Sequence, residues 1–104
     1  MSTFDIGNID DVIHGRMRLG IMAYLASAEV SDFNQLKFVL QATQGNLSIH
    51  LRKLEEAGYI QIEKSFLARK PLTRARLTPT GRQAFAKYLE AIGKLIENDG
   101  KPSR

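Results

Sequence analysis

Apolar residues recur along this chain in two rhythms, one of three to four residues and one of two. The first rhythm marks helices, the second strands. In "NIDDVIHGRMRLGIMAYLASA", Leu19, Met22 and Leu25 follow one another at i, i+3 and i+6, with Ile21 beside them. Val12 and Ile13 are apolar in its first part, so the spacing predicts a helix broken near Gly15. In "VSDFNQLKFVLQA", Phe33, Leu36, Val39 and Leu40 predict a short amphipathic helix, with Ser31 or Asp32 as its N-cap. In "QATQGNLSIHLRKLEEAGYI", Leu47, Leu51 and Leu54 mark one face of a third helix. Thr43 is its expected N-cap and Gly58 its C-terminal stop. The rhythm then shortens. Ile60 and Ile62 alternate with polar residues in "YIQIEKSF", and "LTRARLT" alternates again. Between these two strands "LARKP" predicts a turn, with Pro71 unsuited to a central ladder position. Phe85, Leu89, Ile92 and Ile96 then space a long last helix, which Thr78 caps and Pro79 opens. "DGKPSR" is an expected frayed tail.

The predicted order is helix, helix, helix, hairpin, helix: an α+β class, mostly helical. A length of 104 residues suits one domain, 1–104, with a core of about 10–78 and a terminal helix of about 79–98. Without cysteine the chain has no disulfide framework, thiolate metal site or thiol nucleophile. The start, "MSTFDIGNIDD", is acidic and lacks the basic and apolar blocks of a secretory signal, and no apolar run is long enough for a membrane helix. A cytoplasmic location and no membrane partner are therefore expected. The net charge of +4 is unevenly spread. Asp5, Asp10 and Asp11 have no base among them, whereas Lys64, Arg69, Lys70, Arg74, Arg76 and Arg82 have no acid among them.

The third helix carries the chemistry. At about 100° per residue, Leu51 and Leu54 lie within about 40° of Leu47, and Gly45, Ser48, Ile49, Arg52 and Glu56 fall on the far side. That side is small and polar at the helix start and cationic further along. A helix that inserts its N-terminal end into a DNA major groove needs this arrangement. Small residues permit close approach, amides and hydroxyls read base edges, and cations meet phosphates. No carboxylate occurs from Gln41 to Lys53. Ile49 is the exception in this polar face, and the C5-methyl of thymine is the apolar group a major groove offers it. Alone, the basic hairpin that follows reads as a solvated edge. Next to such a helix it reads as a grip on phosphates.

The phrase "GNLSIHLRKLEEAGYIQIEKSFLARKPLTRARLTPTGR" and the order of elements resemble the stand-alone winged-helix transcriptional regulators related to the MarR and ArsR families. The resemblance runs from about Asp10 to Ile96. "NLSIHLRKLEEAGYI" is similar to their recognition helix and next strand, "FLARKPLT" to their wing and "LTPTGR" to the entry of their last helix. It implies a winged helix-turn-helix with a two-stranded hairpin wing and a C-terminal dimerisation helix. It further implies a homodimer on a palindromic or pseudo-palindromic operator of double-stranded DNA, in a nucleoid-associated protein that is more often a repressor. By the same resemblance Thr43, Gln44, Asn46, Ser48, Ile49 and Lys53 face DNA, with Arg69 and Lys70 in the wing. Residue chemistry adds Arg52, Lys64 and Arg74 as phosphate contacts.

Apolar surface beyond the needs of a three-helix core suggests where a second chain would pack: Phe85, Tyr88, Leu89, Ile92, Leu95 and Ile96 on the last helix, and Phe4, Ile6, Ile9, Val12 and Ile13 in the acidic N-terminal segment. Metal sensing lacks a ligand cluster, since His14 and His50 stand alone on different helices. His50 is expected to be a half-buried, hydrogen-bonded structural residue. No catalytic motif is present, Ser48 and His50 being two apart on a helix and so not facing each other. No cofactor is expected, and nothing marks an effector site. A winged helix used for protein docking or RNA binding remains the alternative.

Overall fold

Three of the four helices start on the side chain that the sequence marks for it. The computed structural model describes residues 6–98, so Phe4, Asp5 and the tail 99–104 lie outside the described residues. A 3-10 turn, Ile6–Asn8, precedes helix α1 (Arg16–Ala28), strand β1 (Val30–Asp32), helices α2 (Phe33–Leu40) and α3 (Gln44–Glu56), strands β2 (Ile60–Leu67) and β3 (Lys70–Leu77), and helix α4 (Pro79–Asn98). The Asp32 carboxylate accepts the N–H of Gln35 at 2.7 Å. The Thr43 hydroxyl accepts that of Asn46 at 3.2 Å, and the Thr78 hydroxyl that of Gly81 at 2.9 Å. Each satisfies one N–H that the helix itself leaves unpaired. Gly58, just past α3, adopts φ 81, the left-handed conformation that ends a helix at low cost in glycine.

Two expectations are corrected. Ile9–His14 is not the first part of a helix. The Asp10 carboxylate accepts the N–H groups of Val12 (2.8 Å) and Ile13 (3.2 Å) and its carbonyl that of His14 (2.8 Å), a single capped turn that goes no further because Gly15, where a break was expected, is extended at φ 164 and ψ 142. The wing is the expected two-stranded hairpin, β2 and β3, and an additional short strand joins its base. β1 pairs antiparallel with β3, Ser31 facing Ala75, and makes a three-stranded sheet of order β1-β3-β2. Pro71 belongs to β3, opposite Phe66, rather than to the turn. It is tolerated because β1 reaches only Arg74–Arg76, so β3 has a single neighbour at Pro71.

The core is contiguous. Ile21, Met22 and Leu25 of α1 meet Leu36 of α2, the leucine face of α3, Ile60 of β2 and Ala75 and Leu77 of β3. Ile13 and Tyr88 close it from either end of the chain. The interior arrangement leaves the opposite side of α3 exposed beside the hairpin.

Candidate nucleic-acid interface

α3 presents four strips, set by its own periodicity. Leu47, Leu51 and Leu54 are buried inward. Gly45, Ile49 and Lys53 point away from the body and are exposed. Gln44, Ser48 and Arg52 line one wall of a cleft of about 590 Å³, whose other wall is Ile62, Lys64 and Thr73 of the hairpin and whose floor includes Phe33. Glu55 borders this cleft too, one turn beyond Arg52. The fourth strip, Thr43, Asn46 and His50, borders a second cleft against the start of α1. The expected contact residues of α3 therefore surround one exposed ridge rather than forming a single line.

Ile49 is 51% exposed at the centre of that ridge. A glycine one turn before it leaves open space, for a Cβ on Gly45 would meet nothing within 4 Å. The ridge is thus lowest where the helix N-terminus would enter a groove.

The hairpin sorts its charges by face. Register places Gln61 opposite Arg76, Glu63 opposite Arg74 and Leu67 opposite Lys70 on one side, and Lys64 opposite Thr73 on the other. Arg76 is engaged with Glu63 at 3.2 Å, which removes it from the free basic cluster. Among the described residues, Arg52, Lys53, Lys64, Arg69, Lys70 and Arg74 have no carboxylate partner. Ala68 and Arg69 form a two-residue turn at φ 52 and 69, a tight connection whose twist suits a hairpin but which normally selects glycine or asparagine.

Arg18 is a residue that sequence reasoning missed. From α1 it donates to the Asp11 and Val12 carbonyls and, at 3.0 Å, to Nδ1 of His50. It ties the N-terminal turn to α3. An arginine only donates, so His50 is neutral here with its proton on Nε2. Burial, then the charges of Arg18 and Lys53, hold the His50 pKa below its ordinary value. His50 is half-buried and hydrogen-bonded, and no group of three or more metal-binding side chains occurs among the described residues.

The expected dimer residues divide. Ile13 and Tyr88 are buried in the chain's own core, Tyr88 with its hydroxyl 2.9 Å from His14, and have no surface left for a second chain. Ile9, Val12, Phe85, Ile92 and Leu95 are half-buried. Leu89 and Ile96 on α4 are exposed, at 52% and 69%.

A three-helix core whose third helix stands free beside a basic antiparallel hairpin defines a winged helix-turn-helix protein. The model of the winged helix DNA-binding domain family matches residues 17–96, and the chain belongs to that family. An uncharacterized protein of Methanocaldococcus jannaschii is 38% identical over 87 residues, which span 84% of this chain and 95% of that protein. The structure of a transcriptional regulator homologue from Pyrococcus horikoshii OT3 superposes with a TM-score of 0.80 at 30% identity, over 86% of this chain and 89% of that one. A MarR-family regulator from Silicibacter pomeroyi shares the fold alone, with a TM-score of 0.66 at 19% identity over 88% and 62% of the two chains. The chain is a winged-helix DNA-binding protein of the transcriptional-regulator type.

Proposed function

We propose that this protein is a sequence-specific repressor that binds a palindromic or pseudo-palindromic DNA operator as a homodimer. The observation that carries the reading is the cleft between α3 and the hairpin, with Arg52 on one wall and Lys64 on the other. A DNA backbone strand separates the major groove from the next minor groove. With α3 in the former and the wing over the latter, that strand lies in this cleft. Gln44, Asn46 and Ser48 then supply hydrogen bonds to base edges or phosphates, Thr43 lies at the phosphate-facing helix end, and Arg52, Lys53, Lys64, Arg69, Lys70 and Arg74 meet phosphates. Each phosphate contact releases counterions, so log K should fall against log salt with a slope of about 0.9 per contact. Anisotropy titrations over a salt series test this, and a protein-docking module would show weak DNA binding at every salt concentration.

Two substitutions test the ridge. Gly45→Ala should raise stability by up to about 1 kcal/mol, since alanine favours helix and the site is open. The same methyl should weaken operator binding by holding α3 off the bases. Thermal melts and binding isotherms on one preparation separate the two effects. An affinity equal to wild type would place Gly45 away from DNA. Ile49→Ala should cost about 1–3 kcal/mol of preference at one A·T pair, where the side chain packs on a thymine methyl. A preferred site with no A·T pair under Ile49 would contradict that contact.

A further inference from the structure

The tip of the wing is apolar as well as basic. Phe66 is 75% exposed and Leu67 is 66% exposed, at the end of a strand whose other large apolar residues, Ile60 and Ile62, pack on the core. Strand alternation places Phe66 on the face of β2 that carries Ile62 and Lys64, the face lining the α3 cleft. Its cross-strand partner is Pro71, also exposed. A phenylalanine bared at a hairpin tip invites association, which natural edges avoid. It contributes nothing to this chain's own core.

We propose that Phe66, backed by Pro71, is an apolar wedge that the wing sets into the DNA minor groove, against sugars and a base step. This inference rests on the DNA-binding reading above. Charge complementarity selects the occupant. Lys64 shares the face of Phe66, Arg69 lies in the turn beyond it, and no acid occurs between Lys64 and Arg82. An apolar patch flanked by cations suits a polyanion with apolar sugar faces and bases. A second copy of the same tip would be repelled by its like charge. The two-residue turn shortens the tip, so little ordering is needed when it docks. Apolar side chains inserted in this way unstack one step and bend the duplex toward the major groove. The wedge thus acts beside the phosphate contacts, adding a sequence-dependent deformation to a sequence-independent grip.

The chain contains no tryptophan, so Phe66→Trp gives a fluorophore that reports on this position alone. The probe is the duplex that binds the wild-type protein most tightly after selection from random sequence. Titration with it should quench and blue-shift the Phe66→Trp emission in step with anisotropy. Phe66→Ala should melt as wild type does, bind about tenfold more weakly and keep the full salt slope. Arg69→Ala, as a control, should lower the slope by about one contact. Full affinity of Phe66→Ala together with unchanged emission of Phe66→Trp overturns the wedge and leaves the DNA-binding reading intact. Emission that shifts with protein concentration in the absence of DNA also overturns it, by assigning Phe66 to contact between copies. A wild-type protein that binds no duplex removes both.

Discussion

Gly81→Ala should unfold this protein more readily than any change on its DNA-facing side. Gly81 is buried near the start of α4, and a Cβ there would lie 2.0 Å from the Tyr59 carbonyl oxygen and 2.8 Å from its carbon. Tyr59 cannot retreat. Its N–H donates to the Leu54 carbonyl at 3.0 Å, and its carbonyl accepts the Thr78 N–H at 3.0 Å. Its hydroxyl donates to the Asp10 carboxylate at 2.5 Å. That last bond, with burial and the Asp10 charge, pushes the phenol pKa up to about 12. Helix propensity favours alanine over glycine by about 1 kcal/mol. The clash is with backbone and outweighs that gain, giving a net loss of about 3 kcal/mol. Thermal melts should show a fall on the order of 10–20 °C. A melting temperature within about 2 °C of wild type would mean that α4 and the α3–β2 turn can separate cheaply, and that the anchoring of α4 described above is wrong.

Leu89→Glu should leave the fold intact and abolish tight operator binding. Leu89 and Ile96 lie seven residues apart on α4, exposed on the same side as the half-buried Ile92 and Phe85. We propose this stripe, continued by Ile9 and Val12, as the two-fold interface. A carboxylate placed there would be desolvated in each protomer and face its symmetry mate, at a cost of several kcal/mol. Each protomer would then hold only a half-site and lose the linkage that multiplies two weak contacts, on the order of 10²–10⁴ in affinity. Sedimentation equilibrium should find a dimer for the wild-type chain of 11.7 kDa and a monomer for the variant. Half-site binding should be retained, because Leu89 is not on the α3–wing side. A wild-type protein that sediments as a monomer while binding a palindrome tightly would refute the interface.

Local signals carried most of the fold into the sequence. Caps at Thr43 and Thr78, the stop at Gly58 and the leucine spacing of α3 are short-range features, and each reappears in the structure. What could not be read locally was settled by distant groups. β1 has only three residues and exists because Val30–Asp32 meet Arg74–Arg76 far along the chain. Pro71 looked like a turn residue because nothing in the sequence shows that β1 stops short of it. The break near Gly15 was legible, but the stretch before it is one turn capped by Asp10 and not a helix. The contact face of α3 was visible as composition, but its division into an outward ridge and two cleft walls needed the neighbouring elements. Arg18 gave no sequence signal. Its role depends on His50 and on carbonyls brought together by the fold. Ile13 and Tyr88 looked like interface residues only until the core was seen to absorb them.

Selection of bound duplexes from random DNA, run at a low and a high salt concentration, tests the central claim most directly. The claim predicts enrichment of a two-fold symmetric site with half-site centres about 10 base pairs apart. Each half should carry an A·T pair under Ile49, and affinity should fall steeply between the two salts. Recovery of no enriched sequence, with equally weak binding at both salts, would contradict it.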